Sequence, residues 1–353
     1  MKVILISTAE RELNPRVYGG AEVIVYYLAK TFAEKKDEYG IDEVAVACCK
    51  KSDIPKGVSY IPTVDPKEDT FHSWIHEDEK AYEIYEPYLK DFDVIVDHSW
   101  GGFPYIYKLK NPNVKVTHTF HGMGFFATNP PIWDNPNYIA VSSVQADMIY
   151  NILGVEATVI HHGIDMELYR PTENPKGDYL LFLNRITREK GAIQFIRLCE
   201  KLKVCGILAG EDRFVSDYRY VEQVKEMAEK SEYVEYRGRV SFDEKIELLQ
   251  NAKALIALPM LPYVEVFGLF CTEALACGTP VIALANGGLI DQLSGTVLQK
   301  YLCANLVEIE RAVKNLLEIK DDTSLRIECR TIAEKRFNRI IMADNYMKKI
   351  KSL

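Results

Sequence analysis

The chain has 353 residues, of which 48% are hydrophobic and 27% charged, with a formal net charge of −8. That length exceeds one compact domain and fits two of roughly 150–180 residues, each with enough apolar side chains for a core. Residues 1–165 hold 15 Lys and Arg against 24 Asp and Glu, and the remainder holds 28 against 27. Neither half therefore carries the basic excess of a nucleic-acid binder.

The opening "MKVILIST" reads as a buried first strand over residues 3–8. Its apolar run is too short for a signal-peptide core or a membrane span, and no later run approaches the ~20 apolar residues a span requires. A long loop, "TAERELNPRVYGG", leads to a helix over 20–36, and strands follow at 43–49, 93–99, 115–120 and 138–142. Helices are expected at 76–90 and 142–151. The stretch "YRPTENPKGDY" (169–179) is rich in turn residues and reads as a linker. A second series then begins, with strands at 179–184, 204–210, 233–238, 254–259 and 280–285. Helices near 190–202, 216–230, 242–252 and 268–277 lie between them, and residues 304–351 read as helical throughout. Strands alternating with helical segments predict parallel, doubly wound sheets. The expected division is 1–168, 169–335 and a closing helix over 336–353. The eight cysteines include no C-x-x-C pair, which fits reduced, buried thiols in a cytoplasmic protein.

In such sheets ligands bind beyond the carboxyl ends of the strands. The segment "EVFGLFCTEALACGTPVIA" places Glu265 in a strand-to-helix turn, Gly268 at a helix start and Glu273 on the second helical turn. Unpaired N–H groups at such a helix tip attract phosphate, and nearby carboxylates accept hydrogen bonds from hydroxyls. Phosphates beside several hydroxyls describe a nucleotide sugar. A helix tip contributes only ~0.3–1 kcal/mol to an anion, so a diphosphate needs further positive charge. Arg185 and Lys190 in "NRITREKG" supply it at a strand end and the following helix start. The only Asp-x-Asp, Asp91-Phe92-Asp93, falls at the start of a strand, the wrong edge for a catalytic metal. Each residue also has a plain reading. Glu265 could cap the helix, Glu273 pair with a surface cation, Arg185 and Lys190 be solvated charges, His121 be a core histidine, and Gly19–Gly20 form a simple turn.

The Glu265-x7-Glu273 block with "FG" and "ALACGTPVIA", together with "RITREKG", "YGGAE" and the late "RFNRIIMADNYMKKI", resembles the retaining GT-B glycosyltransferases that use nucleotide-activated sugars. The resemblance spans nearly the whole chain. It implies an α/β GT-B fold of two Rossmann-like domains facing a cleft, the first on the acceptor side, the second binding the donor, and the last helix crossing back to the first domain. It implies that Glu265 binds donor-sugar hydroxyls, Glu273 the ribose, and Arg185 and Lys190 the departing diphosphate. Phe267, Gly268 and Leu269 would present backbone amides, and Gly19 and Gly20 would admit the diphosphate. His121 would contact the sugar near its reacting carbon, and the "GRVS" turn with Arg239 and Val240 would meet the base. Asn184, His162 and Val266 depart from the family's usual residues, which bears on which sugar and nucleotide fit.

These features predict retaining, metal-independent transfer of a sugar from a UDP-, GDP- or ADP-sugar to a hydroxyl of a glycan, lipid-linked or small-molecule acceptor. No cofactor is expected beyond the nucleotide-sugar substrate. No nucleic-acid partner is expected, and membrane contact at most peripheral. His98, Trp100 and Phe125 are acceptor candidates, with Phe71, Trp74, Phe126 and Trp133 as further loop aromatics able to stack on a sugar or lipid, or to anchor the loops. A GT-B-type sugar-nucleotide epimerase and a non-catalytic sugar-nucleotide-binding protein are the alternatives. The absence of G-x-G-x-x-G after the first strand disfavours a nicotinamide enzyme.

Overall fold

The computed structural model describes residues 1–16, 19–67, 74–123, 137–213 and 215–353. The chain divides into two compact units, Met1–Ile164 with Arg339–Leu353, and Asp165–Asn338.

The first unit runs β1 (Lys2–Ile6), α1 (Gly20–Glu34), α2 (Lys36–Tyr39), β2 (Glu43–Cys48), β3 (Ser59–Pro62), α3 (Trp74–Tyr85), β4 (Val94–Asp97), α4 (Pro104–Lys110), β5 (Lys115–Thr119), β6 (Tyr138–Ala140), α5 (Ser143–Leu153) and β7 (Ala157–Val159). Among the described residues the strands form one parallel sheet in the order β3-β2-β1-β4-β5-β6-β7. The strand order reverses direction between β1 and β4, where connections leave to opposite sides and open a crevice. Ile4, Ala45, Ile95 and Val116 make the buried centre, covered by Tyr85, Leu89, Tyr105 and Ile149.

The second unit runs β8 (Leu180–Leu183), α6 (Ala192–Leu202), β9 (Gly206–Ala209), α7 (Tyr218–Lys230), β10 (Val234–Gly238), α8 (Phe242–Asn251), β11 (Ala254–Ala257), α9 (Leu269–Ala276), β12 (Val281–Leu284), α10 (Gly288–Leu293), β13 (Leu302–Cys303), α11 (Leu306–Leu317) and α12 (Thr323–Arg336). Its sheet is also parallel, ordered β10-β9-β8-β11-β12-β13, with the reversal between β8 and β11. β8, β9 and β11 are buried throughout, as strands covered on both faces must be.

The last helix, α13 (Arg339–Lys351), belongs to the first unit. Tyr346 shares a 2.8 Å hydrogen bond with Thr119, and Asp344 accepts from Lys35 and Tyr39. Three short strands, β3, β7 and β13, were not among the expected elements. The helix expected over 76–90 ends at Tyr85 and tightens into a 3₁₀ turn over Glu86–Asp91, because Pro87 cannot donate to an α-helical ladder. The helical tail is three helices, broken at 318–322 and at Phe337–Asn338. Among the described residues no helix is long and apolar enough to cross a membrane, and no group of three or more His, Cys, Asp or Glu side chains is placed to hold a metal.

Candidate functional site

The second unit's switch point gathers the charged residues. Lys190 sits in a 3₁₀ turn, Arg188–Lys190, after β8, and Glu265 lies in the connection from β11 to α9. Their side chains meet: Lys190 Nζ donates to Glu265 Oε2 at 2.5 Å, and both residues are buried. Lys190 also donates to the Tyr263 hydroxyl at 2.8 Å and lies 4.3 Å from the centre of that ring. Burial pulls the ammonium towards neutrality, but the Glu265 charge and Tyr263 outweigh it, so its pKa stands above the ordinary lysine value. Burial, with Glu265 beside it, pushes the Tyr263 phenol up. Arg185 ends β8's side of the site with its side chain in solvent, close enough for its charge to act on Tyr263.

Two glycines explain how this turn is made. Gly191 has φ +80°, and a Cβ there would sit 2.4 Å from the Leu258 carbonyl, so only glycine lets Lys190 approach the end of β11. Gly287 has φ +55°, with its would-be Cβ 2.0 Å from the Glu265 carbonyl. Beside it, Asn286 holds the Glu265 segment from both ends. Its Oδ1 accepts from Glu265 N at 2.8 Å, and its Nδ2 donates to Tyr263 O at 2.9 Å. Glu265 is thus fixed by Asn286 and Lys190 and does not cap α9.

Helix α9 starts at Gly268, in the left-handed region, and no side chain caps its first N–H groups. Phe267 is buried with its ring against Phe337, so its backbone is the part left for a ligand; Leu269 is half-buried. Gly278 closes the helix as expected, with Thr279 N donating to Ala274 O and Gly278 N to Leu275 O. Glu273 is buried beneath that turn, where its Oε1 accepts from the Tyr169 hydroxyl at 2.6 Å and from Lys245 Nζ at 2.8 Å. Its cation is therefore a half-buried lysine from α8 and not a solvated surface one. Arg239 and Val240 stand between β10 and α8; Arg239 reaches the buried Glu211 at 3.4 Å, and Val240 is buried.

In the first unit, Gly19 and Gly20 form the entry to α1, with Gly19 extended and next to the Glu22 carboxylate. Glu22 is buried, accepts from the Thr8 hydroxyl, and has its pKa raised by burial. His98 follows β4 and His121 follows β5. His98 Nδ1 and His121 Nε2 share a 2.8 Å hydrogen bond, and His162 stacks on His121 at 5.1 Å. Burial first, then neighbouring histidines, keep all three neutral, with His98 and His162 far below the usual histidine value and His121 at about 3. Trp100 Nε1 donates to Glu10 at 3.2 Å, and its ring lies 5.9 Å from that of Trp74, which is half exposed. The loop carrying His98 and Trp100 is pinned by Asp78, which accepts from the backbone N–H groups of Ala9, Trp100 and Gly101. Asp91 and Asp93 lie at the amino edge of the sheet, where Asp93 accepts from Lys2 N. Phe71, Phe125, Phe126 and Trp133 lie outside the described residues.

The structure therefore brings Arg185, Lys190 and Glu265 together in one unit, with Glu273, Gly268 and the Arg239 turn on neighbouring connections of the same carboxyl edge. It joins His98 to His121 in the other. Tyr263, Asn286, Tyr169, Lys245 and Glu22 are partners that the sequence reading did not single out. Two of them carried a signal: Asn286 in the "ANGG" following a strand, and Glu22 as the last residue of "YGGAE".

Two family profiles match the chain, "Glycosyltransferase Family 4" over residues 18–168 and "Glycosyl transferases group 1" over residues 167–336. A D-inositol 3-phosphate glycosyltransferase 1 from Catenulispora acidiphila is 24% identical over 268 residues, covering 63% of this chain and 64% of its own. A D-inositol 3-phosphate glycosyltransferase from Mycobacterium marinum is 31% identical over 159 residues, covering 40% of this chain and 33% of its own. The chain thus spans between a third and just under two-thirds of these curated relatives. Among solved structures, sucrose-phosphate synthase from Thermosynechococcus elongatus superposes with a TM-score of 0.78 at 18% identity, over 99% of this chain and 98% of that one. HepE from Anabaena, solved in complex with UDP and glucose, gives 0.75 at 16% identity over the whole of both chains. At these identities the structural likeness concerns the fold.

Proposed function

We propose that the chain, matched by two glycosyltransferase family profiles over residues 18–168 and 167–336, is a GT-B glycosyltransferase that transfers a sugar from a nucleoside diphosphate to an acceptor hydroxyl with retention of anomeric configuration. The observation that carries this reading is the meeting of Lys190 and Glu265 at the β8/β11 switch point, beside the uncapped start of α9. An ammonium has three N–H donors. Lys190 spends two on Tyr263 and Glu265, which leaves one for a phosphate oxygen. Glu265 keeps that lysine charged, and its carboxylate still has lone pairs to accept from sugar hydroxyls.

In this mechanism Arg185, Lys190 and the N–H groups from Gly268 onward stabilise the charge that develops on the departing diphosphate. Glu265 orients the sugar, while Glu273, its Oε1 held by Tyr169 and Lys245, turns Oε2 to the ribose hydroxyls. Phe267, Gly268 and Leu269 contribute backbone, and Arg239 and Val240 meet the base. Positive charge comes from side chains and a helix tip, so the reaction is proposed to need no metal. UDP is the first nucleotide to test, since HepE was solved with UDP and with UDP-glucose. Inositol phosphate, from the names of the relatives, is one acceptor to set beside glycans and lipid-linked sugars.

The test is a thermal-shift screen of UDP-, GDP- and ADP-sugars, with and without chelator. A ligand at a hundred times its Kd stabilises by ~2.7 kcal/mol, about 5–10 °C for a unit of this size. One nucleotide should shift the transition in chelator; no shift with any of them would refute donor binding.

A further inference from the structure

Trp100 follows β4 and Glu10 follows β1. The 3.2 Å hydrogen bond from Trp100 Nε1 to Glu10 Oε2 therefore joins the two connections that leave the first unit's switch point. That is the edge of a parallel sheet where ligands bind. Trp100 is held at both ends, since its backbone N–H also donates to Asp78 at 2.6 Å. Glu10 is held in turn, its carbonyl accepting from Lys67 N at 2.7 Å. Both side chains are nevertheless only half-buried. Trp74, the first residue of α3, sets its ring 5.9 Å from that of Trp100 with the planes 36° apart, and it stays 50% exposed. Gly122, after β5, borders the same ring: a Cβ there would meet it at 3.5 Å. Three strand connections and a helix start thus converge on one fixed, partly open indole.

A single exposed apolar side chain calls for no ligand. Two adjoining indoles at the ligand-binding edge, fixed by hydrogen bonds and bordered by a carboxylate, present a narrower chemistry. A pyranose has an apolar C–H face and a rim of hydroxyls. Indole faces suit the first, and a carboxylate, which only accepts, suits the second. The same carboxylate repels phosphate, and acids outnumber bases by 24 to 15 in residues 1–165. The neighbouring cations are turned elsewhere: Lys67 Nζ pairs with Glu77 at 3.3 Å, and the Arg11 charge acts on buried Glu22.

We propose that Trp74, Trp100 and Glu10 form a subsite for an uncharged pyranose of the acceptor, with Glu10 the specificity-determining residue that turns phosphorylated acceptors away. This rests on the transferase reading above for calling the bound sugar an acceptor, and it narrows that acceptor to a glycan rather than an inositol phosphate.

Ligand-observed NMR titrations of the full chain, alone and with UDP, read both halves of the proposal. The probes are maltose, cellobiose, lactose and chitobiose, set against inositol 3-phosphate. At least one disaccharide should bind saturably and more tightly than inositol 3-phosphate. Trp100→Ala should weaken that disaccharide about tenfold or more, and Trp74→Ala to a lesser degree. Glu10→Gln keeps an oxygen for the Trp100 N–H but loses the charge. The preference for the disaccharide over inositol 3-phosphate should then shrink about tenfold, a change of ratio that lost packing alone would not produce. The proposal is overturned if no disaccharide binds, or if inositol 3-phosphate binds more tightly. It is equally overturned if both tryptophan variants bind as wild type does, or if Glu10→Gln leaves the preference unchanged. Should Trp100→Ala fail to fold, Trp74→Ala and Glu10→Gln decide. Binding is read without turnover, so a chain that cleaves no nucleotide sugar loses the transferase reading and keeps the sugar subsite, whereas failure here leaves donor cleavage untouched.

Discussion

Removing the Lys190 ammonium should expose how tightly it is bound to Glu265. Lys190→Met keeps the length of the side chain and leaves Glu265 buried, with only the Tyr263 hydroxyl at a long 3.4 Å. At the observed 2.5 Å, two unit charges in an effective dielectric of about 20 attract by roughly 7 kcal/mol, most of it offset by desolvation. Breaking a buried pair from one side costs about 3–5 kcal/mol, because the remaining charge has no partner. For a unit of this size that is a fall in Tm of roughly 6–20 °C. Glu265→Gln should cost less, since the amide oxygen and Tyr263 still accept from Lys190. In the double variant no unpaired charge is left, so its loss should be well below the sum of the two. The cycle should give a coupling of at least about 2 kcal/mol. The assay must report on the second unit. All three tryptophans lie in residues 1–164, so fluorescence would miss it, and amide exchange in β8 and β11 is the suitable readout. A coupling below about 0.5 kcal/mol would show the pair to be incidental.

Other perturbations follow from the same geometry. Lys245→Met leaves Glu273 with only Tyr169, so donor KM should rise more than kcat falls, in steady-state kinetics; an unchanged KM would count against a ribose role for Glu273. Gly191→Ala forces a Cβ against the Leu258 carbonyl at a positive φ, costing about 1–3 kcal/mol in a melt and lowering turnover by displacing Lys190. The three neutral histidines give a defined pH response. Their folded pKa values lie below the unfolded value near 6.5, His121 at about 3, so the unfolded chain binds more protons in that window. Stability is full above pH ~6.5 and is lost as pH falls towards 3, by up to about 1.4 kcal/mol per pH unit for each imidazole. Melts of wild type and His98→Phe from pH 7 to 5 should show a shallower slope in the variant.

Much of the architecture was legible because central parallel strands are continuous apolar runs: "VILI", "VIVD" and "LLFL" each became fully covered strands. The strands missed have no such signature. β3 ends in a proline and is mostly exposed, β7 has three residues, and β13 two; pairing with a neighbour, not their own pattern, makes them strands. The site divides in the same way. Lys190, Gly268 and the two glutamates sit in local motifs whose spacing carries chemistry. Tyr263, Lys245 and Tyr169 have no local mark, because Lys245 meets Glu273 only once α8 packs beside α9. Likewise His98 and His121 are 23 residues apart, and only the adjacency of β4 and β5 makes them a pair.

The most direct measurement is release of nucleoside diphosphate from the matching nucleotide sugar, in chelator, by wild type and Arg185→Ala. Arg185 has its side chain in solvent, so the substitution should leave Tm unchanged while turnover falls about 10²–10³-fold. An Arg185→Ala protein that cleaves the donor at the wild-type rate would contradict the account.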